Sequence, residues 1–277
     1  MNYAFEQVIM NALNEDILEA GDLTTDCIIK ENYKSKFQLV INEDATLAGF
    51  DLFKNTFFKL DKDIVIDSNF TNGDRIKKDE IVAYVSGNIN AILKGERTAL
   101  NFISHLSGIA TLTNILKDKI KHTKAILLDT RKTTPLLRAL EKEAVIVGGG
   151  QNHRFDLSQM VLIKDNHIDA AGGVSKAISC VKECYDSRYK IEVEVRDLKE
   201  LNEAITLNPD VIMFDNWNLQ DLKKGIKLVP ANILTEVSGQ INEMNIKDYA
   251  EVGVNYISTS YMIKNAKWID FSLEAVK

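Results

Sequence analysis

Several apolar stretches of the chain end in residues able to do chemistry. Arg131 and Lys132 stand side by side after AILLDT, His153 and Arg154 close GGGQNHR, Lys164 closes VLIK, and Arg97 lies in GERTALN. The chain as a whole is acidic, with 34 Lys+Arg against 40 Asp+Glu and a net charge of -6, so a gathering of cations needs a local reason. An arginine fork pairs two carboxylate oxygens at once, and such charge-assisted bonds contribute roughly 1.5–3 kcal/mol each. Converging at one mouth, these groups would suit a small polyanion, a dicarboxylate above all. Glu194 in IEVEV and Asp215 in VIMFD bring the opposite sign. Their hard oxygens could hold Mg²⁺, the remaining positions being filled by water and phosphate oxygens. Glu192 is expected to face the other side of its strand.

The hydroxyls and glycines come next. Ser238-Gly239 and Thr259-Ser260 follow the last two strand-like runs, where barrel enzymes build a phosphate cup. Gly148-Gly149-Gly150 permits close backbone approach. Arg154 disfavours a second positive charge beside it, so His153 reads as a neutral or switchable donor to substrate, while His167 reads as structural.

These residues must be positioned by regular elements. Phe5, Val8, Ile9, Ala12, Leu13 and Ile17 recur at helical spacing over residues 3–20, and Gly21 would cap that helix. From Lys36 to Asn88, short β-rich pieces separated by Asn-Gly and Ser-Gly turns predict a small sheet packed with it. A long helix is predicted through GERTALNFISHLSGIATLTNILKDKI. Beyond residue 124, AILLDT, MVLIKD, IEVEV, VIMFD, ILTEVSG and YISTS recur every twenty to thirty residues with helical segments between most of them, the pattern of a β/α barrel. Chemistry in such barrels sits at the carboxyl ends of the strands, where Arg131, Lys164, Glu194, Asp215, Glu236 and Ser258 fall. The expected fold is α/β, with an N-terminal sandwich over residues 1–104, a barrel of about six strands over 105–261, and a tail, 262–277, returning to the sandwich.

Net negative charge argues against a nucleic-acid or anionic-membrane surface. Residues 1–20 carry Glu6, Glu15, Asp16 and Glu19 and lack the pattern of a secretory signal, so a soluble cytoplasmic protein is expected. Cys27, Cys180 and Cys184 form no disulfide set and are expected to be small buried side chains.

Taken together and in order, GDLTT, GERTALNFISHLSGIAT, DTRKTTP, GGGQNHR, VLIKDNHI, IEVEV, VIMFDN and the closing WIDFSLE resemble the quinolinate phosphoribosyltransferase family over nearly the whole chain. The resemblance implies transfer of phosphoribose from phosphoribosyl pyrophosphate to the ring nitrogen of quinolinate, with loss of the 2-carboxylate as CO₂. It places Arg97, Arg131, His153, Arg154 and Lys164 around quinolinate. Lys132, Glu194 and Asp215 would face phosphoribosyl pyrophosphate with its Mg²⁺, and Ser238, Gly239, Gln240, Thr259 and Ser260 its 5′-phosphate. It also implies a homodimer, in some cases a hexamer, in which Arg97 crosses into the partner's site. The chain departs from the usual pattern at Gln240, Ser260 and Leu136, where glycines are common, and at Glu143, where tyrosine is. Two other readings stay open at this level. One is a binding or accessory protein like the molybdate-uptake paralogue, which typically lacks intact NHR and KDNH segments; the other is a Schiff-base lysine at Lys164.

Overall fold

The computed structural model describes residues 3–31, 33–186 and 188–276 and divides into two compact units. The first comprises residues 1–114, 134–149 and 265–277; the second comprises 115–133 and 150–264.

In the first unit, helices α1 (Tyr3–Asp16), α2 (Leu23–Ile28) and α3 (Phe50–Leu60) accompany an antiparallel sheet. Its strands are β1 (Lys34–Ile41), β3 (Val65–Asp67), β5 (Ile81–Asn88) and β12 (Phe271–Ala275), in the order β12-β1-β5-β3. The short strands β2 (Ala45–Thr46) and β4 (Arg75–Ile76) pair separately. Alternation along β1 buries Phe37, Leu39 and Ile41, which join Phe53 and Phe57 of α3 in one apolar core. The C-terminal strand β12 pairs with β1 from Phe37↔Ala275 to Ile41↔Phe271, so the returning tail is an edge strand of the sandwich.

Helix α4 (Ile89–Ile120) is a single run of 32 residues, so the division expected after residue 104 falls in mid-helix. The two compact units part between Asn114 and Ile115. Helix α5 (Arg138–Val147), expected in the barrel, belongs to the first unit because it packs on α4. Gly148 makes that packing possible: a Cβ there would lie 2.5 Å from the Ala110 carbonyl oxygen. The glycine run thus serves helix packing.

In the second unit, β6 (Ile126–Leu128), β7 (Val161–Ile163), β8 (Ile191–Val195), β9 (Val211–Asp215), β10 (Leu234–Ser238) and β11 (Tyr256–Ser258) form one parallel sheet. Their order is β6-β11-β10-β9-β8-β7, with β6 and β7 as its edges. All six expected strands are present and the α/β class stands. Among the described residues no helix is long and apolar enough to cross a membrane.

Two local expectations change. Helix α1 ends at Asp16 rather than near residue 20, and Leu18 beyond it is 70% exposed. Cys27, Cys180 and Cys184 are all exposed. On the helix Val174–Tyr185 the buried stripe is Val174, Ala177 and Ile178, which turns Cys180 and Cys184 outward.

Candidate active site

Strand register builds the site. On β8 all five residues of IEVEV are buried, yet only alternate ones can face the barrel interior. Glu192 and Glu194 are two residues apart and share that face, which corrects the expectation that Glu192 points away. In register, Glu194 pairs with Met213 and Met213 with Glu236, while Asp215 pairs with Ser238 and Ser238 with Ser258. The carboxyl ends thus line a cavity of about 610 Å³, walled by Arg131, Lys132, His153, Arg154, Lys164, Glu194, Asp215, Ser238, Gly239, Gln240 and Ser258, with Thr130, Leu162, Asp165, Met213 and Asn216.

The cations are set for an anion. Burial lowers the pKa of Arg154, and the neighbouring positive charge of Arg131 lowers it further. Two guanidiniums are therefore held close together, and Arg131 Nε is buried without a hydrogen-bond partner. Lys164 Nζ lies 2.5 Å from Glu194 Oε1. Arg97, exposed on α4, belongs to the first unit.

His153 lines the cavity and is also held from within the barrel. Its Nδ1 accepts the Arg154 backbone N–H at 2.7 Å, so Nε2 must carry the hydrogen if the ring is neutral. That Nε2 lies 3.1 Å from Glu192 Oε2 and 3.6 Å from Glu236 Oε1. The imidazole is an internal strut fixing the Arg154 backbone, and its backbone N–H donates to the buried Asp129 at 2.8 Å.

Burial pushes Glu192 and Glu236 up to about 8, with repulsion from Glu194 adding to the rise of both and repulsion from Glu192 to that of Glu236. The sign follows directly. A carboxyl whose folded-state pKa is raised favours the folded protein in its protonated form, so its contribution is complete below about 4.5 and disappears as pH rises toward 8. Stability is therefore expected to fall between about pH 5 and 9. Glu236→Gln, neutral at every pH, should flatten that slope and stabilise the fold at pH 8.5 by up to an amount on the order of 3 kcal/mol, seen as a higher melting temperature. Thermal melts of both proteins across this range check it; parallel curves would contradict it.

His153, Glu192 and Glu236 form the one three-donor cluster among the described residues. Because the imidazole offers an N–H there and not a lone pair, the cluster is a poor cation site. Glu194 and Asp215 fit better. Glu194 and Asp215 both line the cavity, and burial raises the Glu194 pKa against the opposing Lys164 hydrogen bond, with Asp215 adding to the rise. Hard oxygens sharing one cavity suit Mg²⁺.

Gly239 (φ +100°) follows Ser238, and a Cβ on it would lie 2.3 Å from Asn216 Oδ1. The turn therefore accepts no side chain at that residue. Gln240 adopts φ +52° and Leu136 φ +68°, so both non-glycine departures keep the left-handed backbone that glycine suits. Thr259 does not line the cavity: its hydroxyl donates to the Ile241 carbonyl at 2.7 Å and accepts the Tyr261 N–H at 3.0 Å. The Ser260 carbonyl accepts from Ile263 and Lys264, and its side chain is not part of the cavity wall. Ser258, expected at a strand's carboxyl end, lines the cavity, and Asn216 takes a wall position that the sequence signalled only by following Asp215.

A parallel β/α sheet whose carboxyl ends gather paired guanidiniums, a lysine and two carboxylates defines an enzyme that handles a small polyanion. Comparison narrows the class. Residues 22–107 match the N-terminal domain and residues 109–274 the C-terminal domain of quinolinate phosphoribosyl transferase. The chain is 38% identical over 274 residues to a probable nicotinate-nucleotide pyrophosphorylase [carboxylating] of Bacillus subtilis, covering 99% of this chain and 94% of that protein. It is 39% identical over 285 residues to the protein of the same description from Methanocaldococcus jannaschii, covering 100% and 98%. Among solved structures, the nicotinate-nucleotide pyrophosphorylase from Francisella tularensis superposes with a TM-score of 0.93 at 38% identity, covering 99% of this chain and 96% of that one. The chain belongs to the quinolinate phosphoribosyltransferase family.

Proposed function

We infer that the chain transfers phosphoribose from phosphoribosyl pyrophosphate to quinolinate with decarboxylation, giving nicotinate mononucleotide, pyrophosphate and CO₂. The observation that carries the reading is the pair of neighbouring guanidiniums, Arg131 and Arg154, one with a buried unpartnered N–H, beside Lys164. Such charges are stable together when a dianion neutralises them, and quinolinate brings two carboxylates. Arg131, Arg154 and Lys164 hold and orient the pyridine ring so that its nitrogen faces the ribose carbon. Lys132 meets the departing pyrophosphate, and the Ser238-Gly239 turn receives the 5′-phosphate. Glu194 and Asp215 would hold Mg²⁺, which neutralises diphosphate charge when bound. Once ribosylated, the ring nitrogen is positive and stabilises the electron pair left on C2 as the adjacent 2-carboxylate departs as CO₂, and C2 then takes a proton from solvent to give nicotinate mononucleotide.

The purified protein should convert quinolinate and phosphoribosyl pyrophosphate to nicotinate mononucleotide only with Mg²⁺ present. Chelation should abolish turnover, and Glu194→Ala or Asp215→Ala should raise the Mg²⁺ requirement more than the KM for quinolinate. Unchanged Mg²⁺ dependence in both variants would remove the metal assignment.

Arg97 completes the site from a second copy of the chain in this reading. Mixing inactive Arg97→Ala and Lys164→Ala proteins should then restore part of the activity through hybrid dimers. No recovery, with subunit exchange demonstrated by mass spectrometry, would rule out a shared site.

A further inference from the structure

Lys132 lies on the loop between β6 and α5, where its N–H donates to Thr130 Oγ1 at 3.0 Å, Thr133 N–H donates to the Arg131 carbonyl at 3.1 Å and Leu137 N–H to the Thr134 carbonyl at 3.1 Å. Leu136 is in the left-handed region and 92% exposed, and Leu137 caps α5 without a side-chain hydrogen bond. Glu141 of α5 reaches back to this segment. Glu141 is fully buried, and its two oxygens have separate partners: Oε2 accepts the Thr134 backbone N–H at 2.9 Å, and Oε1 lies 3.0 Å from His105 Nε2.

This carboxylate has no part in the chemistry described above. Burial alone would raise its pKa, but the hydrogen bonds from His105 and Thr134 outweigh burial and lower it, so it is an anion at neutral pH. His105 Nδ1 is buried without a partner, which leaves the ring able to exchange tautomers without breaking another hydrogen bond.

We propose that Glu141 is a positioning residue that anchors the loop carrying Arg131 and Lys132, through the Thr134 N–H two residues beyond Lys132. Misplacing a charged group by about 1 Å can cost on the order of 100-fold in rate, so an anchor at this point governs use of phosphoribosyl pyrophosphate rather than stability alone. The proposal rests on the reading of Lys132 as a pyrophosphate ligand.

Three variants separate an anchor from a merely structural acid. Glu141→Ala should raise the KM for phosphoribosyl pyrophosphate at least tenfold and lower kcat, measured well below its melting temperature. Glu141→Gln should restore both to within about threefold of wild type, because its carbonyl still accepts from Thr134 while His105 changes tautomer to accept from the amide. His105→Phe removes only the other partner and should lower the melting temperature while leaving both constants within about threefold. If Glu141→Ala does not fold, the double variant His105→Leu/Glu141→Leu replaces the buried pair with apolar volume and leaves Thr134 alone without its acceptor; it should show the same rise in KM.

Amide hydrogen exchange across residues 132–134 gives a readout independent of turnover. It should speed up in Glu141→Ala and not in His105→Phe. Folded Glu141→Ala protein, or the double variant in its place, with wild-type KM and kcat would overturn the proposal, as would equal KM changes in Glu141→Ala and His105→Phe. Faster exchange together with an unchanged KM would show a loop anchored by Glu141 but a pyrophosphate held elsewhere, placing the failure in the reading of Lys132.

Discussion

Replacing Arg154 by alanine is expected to lower kcat/KM for quinolinate at least about 100-fold, the effect of about 3–5 kcal/mol that follows when one member of a buried charge set is removed. The side chain is 8% exposed, its Nη1 donates to the Met160 carbonyl at 3.2 Å, and its charge is opposed by Arg131 and supported by Glu192 and Glu194. Alanine would leave Glu194 with one cation fewer and a substrate carboxylate without its fork. Arg154→Lys should recover little, because an ammonium is a point charge and cannot present two parallel N–H groups. The KM for phosphoribosyl pyrophosphate should change by less than about threefold in both variants. Steady-state kinetics with each substrate varied separately measures the split; a quinolinate kcat/KM within tenfold of wild type would show that Arg154 holds the barrel together and does not grip the substrate.

Much of the fold was legible because its signals are local. VLI, IEVEV and VIMFD are apolar runs of strand length, and each became a strand of the parallel sheet. The carboxyl-end rule then brought Arg131, Lys164, Glu194, Asp215 and Ser238 to one cavity. What stayed hidden depends on long-range pairing. Glu192 and Glu194 share a face by simple alternation, but that both meet other buried polar groups follows from β8 lying beside β9 and β10 next in order. His153 faces Glu192 and Glu236, which lie 39 and 83 positions away in the chain, so no local pattern could reveal its role as a strut. Thr259 has the right residue type beside a strand end, yet its hydroxyl closes a turn with Ile241 and Tyr261. The allegiance of α5 to the first unit was hidden for the same reason: only the packed helices show that Gly148 must sit against Ala110.

The central claim is that this cavity takes a dicarboxylate and releases one of its carboxyls. Nicotinate carries a single carboxylate and would leave part of the Arg131, Arg154 and Lys164 cluster unpaired. At about 3–5 kcal/mol for an uncompensated buried charge, quinolinate should be preferred by at least about two orders of magnitude in kcat/KM. The decisive measurement follows both acids with phosphoribosyl pyrophosphate and Mg²⁺, using quinolinate labelled at the 2-carboxylate and trapping the released CO₂. The predicted result is one labelled CO₂ for each nicotinate mononucleotide formed from quinolinate, with nicotinate used at least about 100-fold less efficiently. Comparable use of nicotinate, or mononucleotide formed without CO₂, would contradict it.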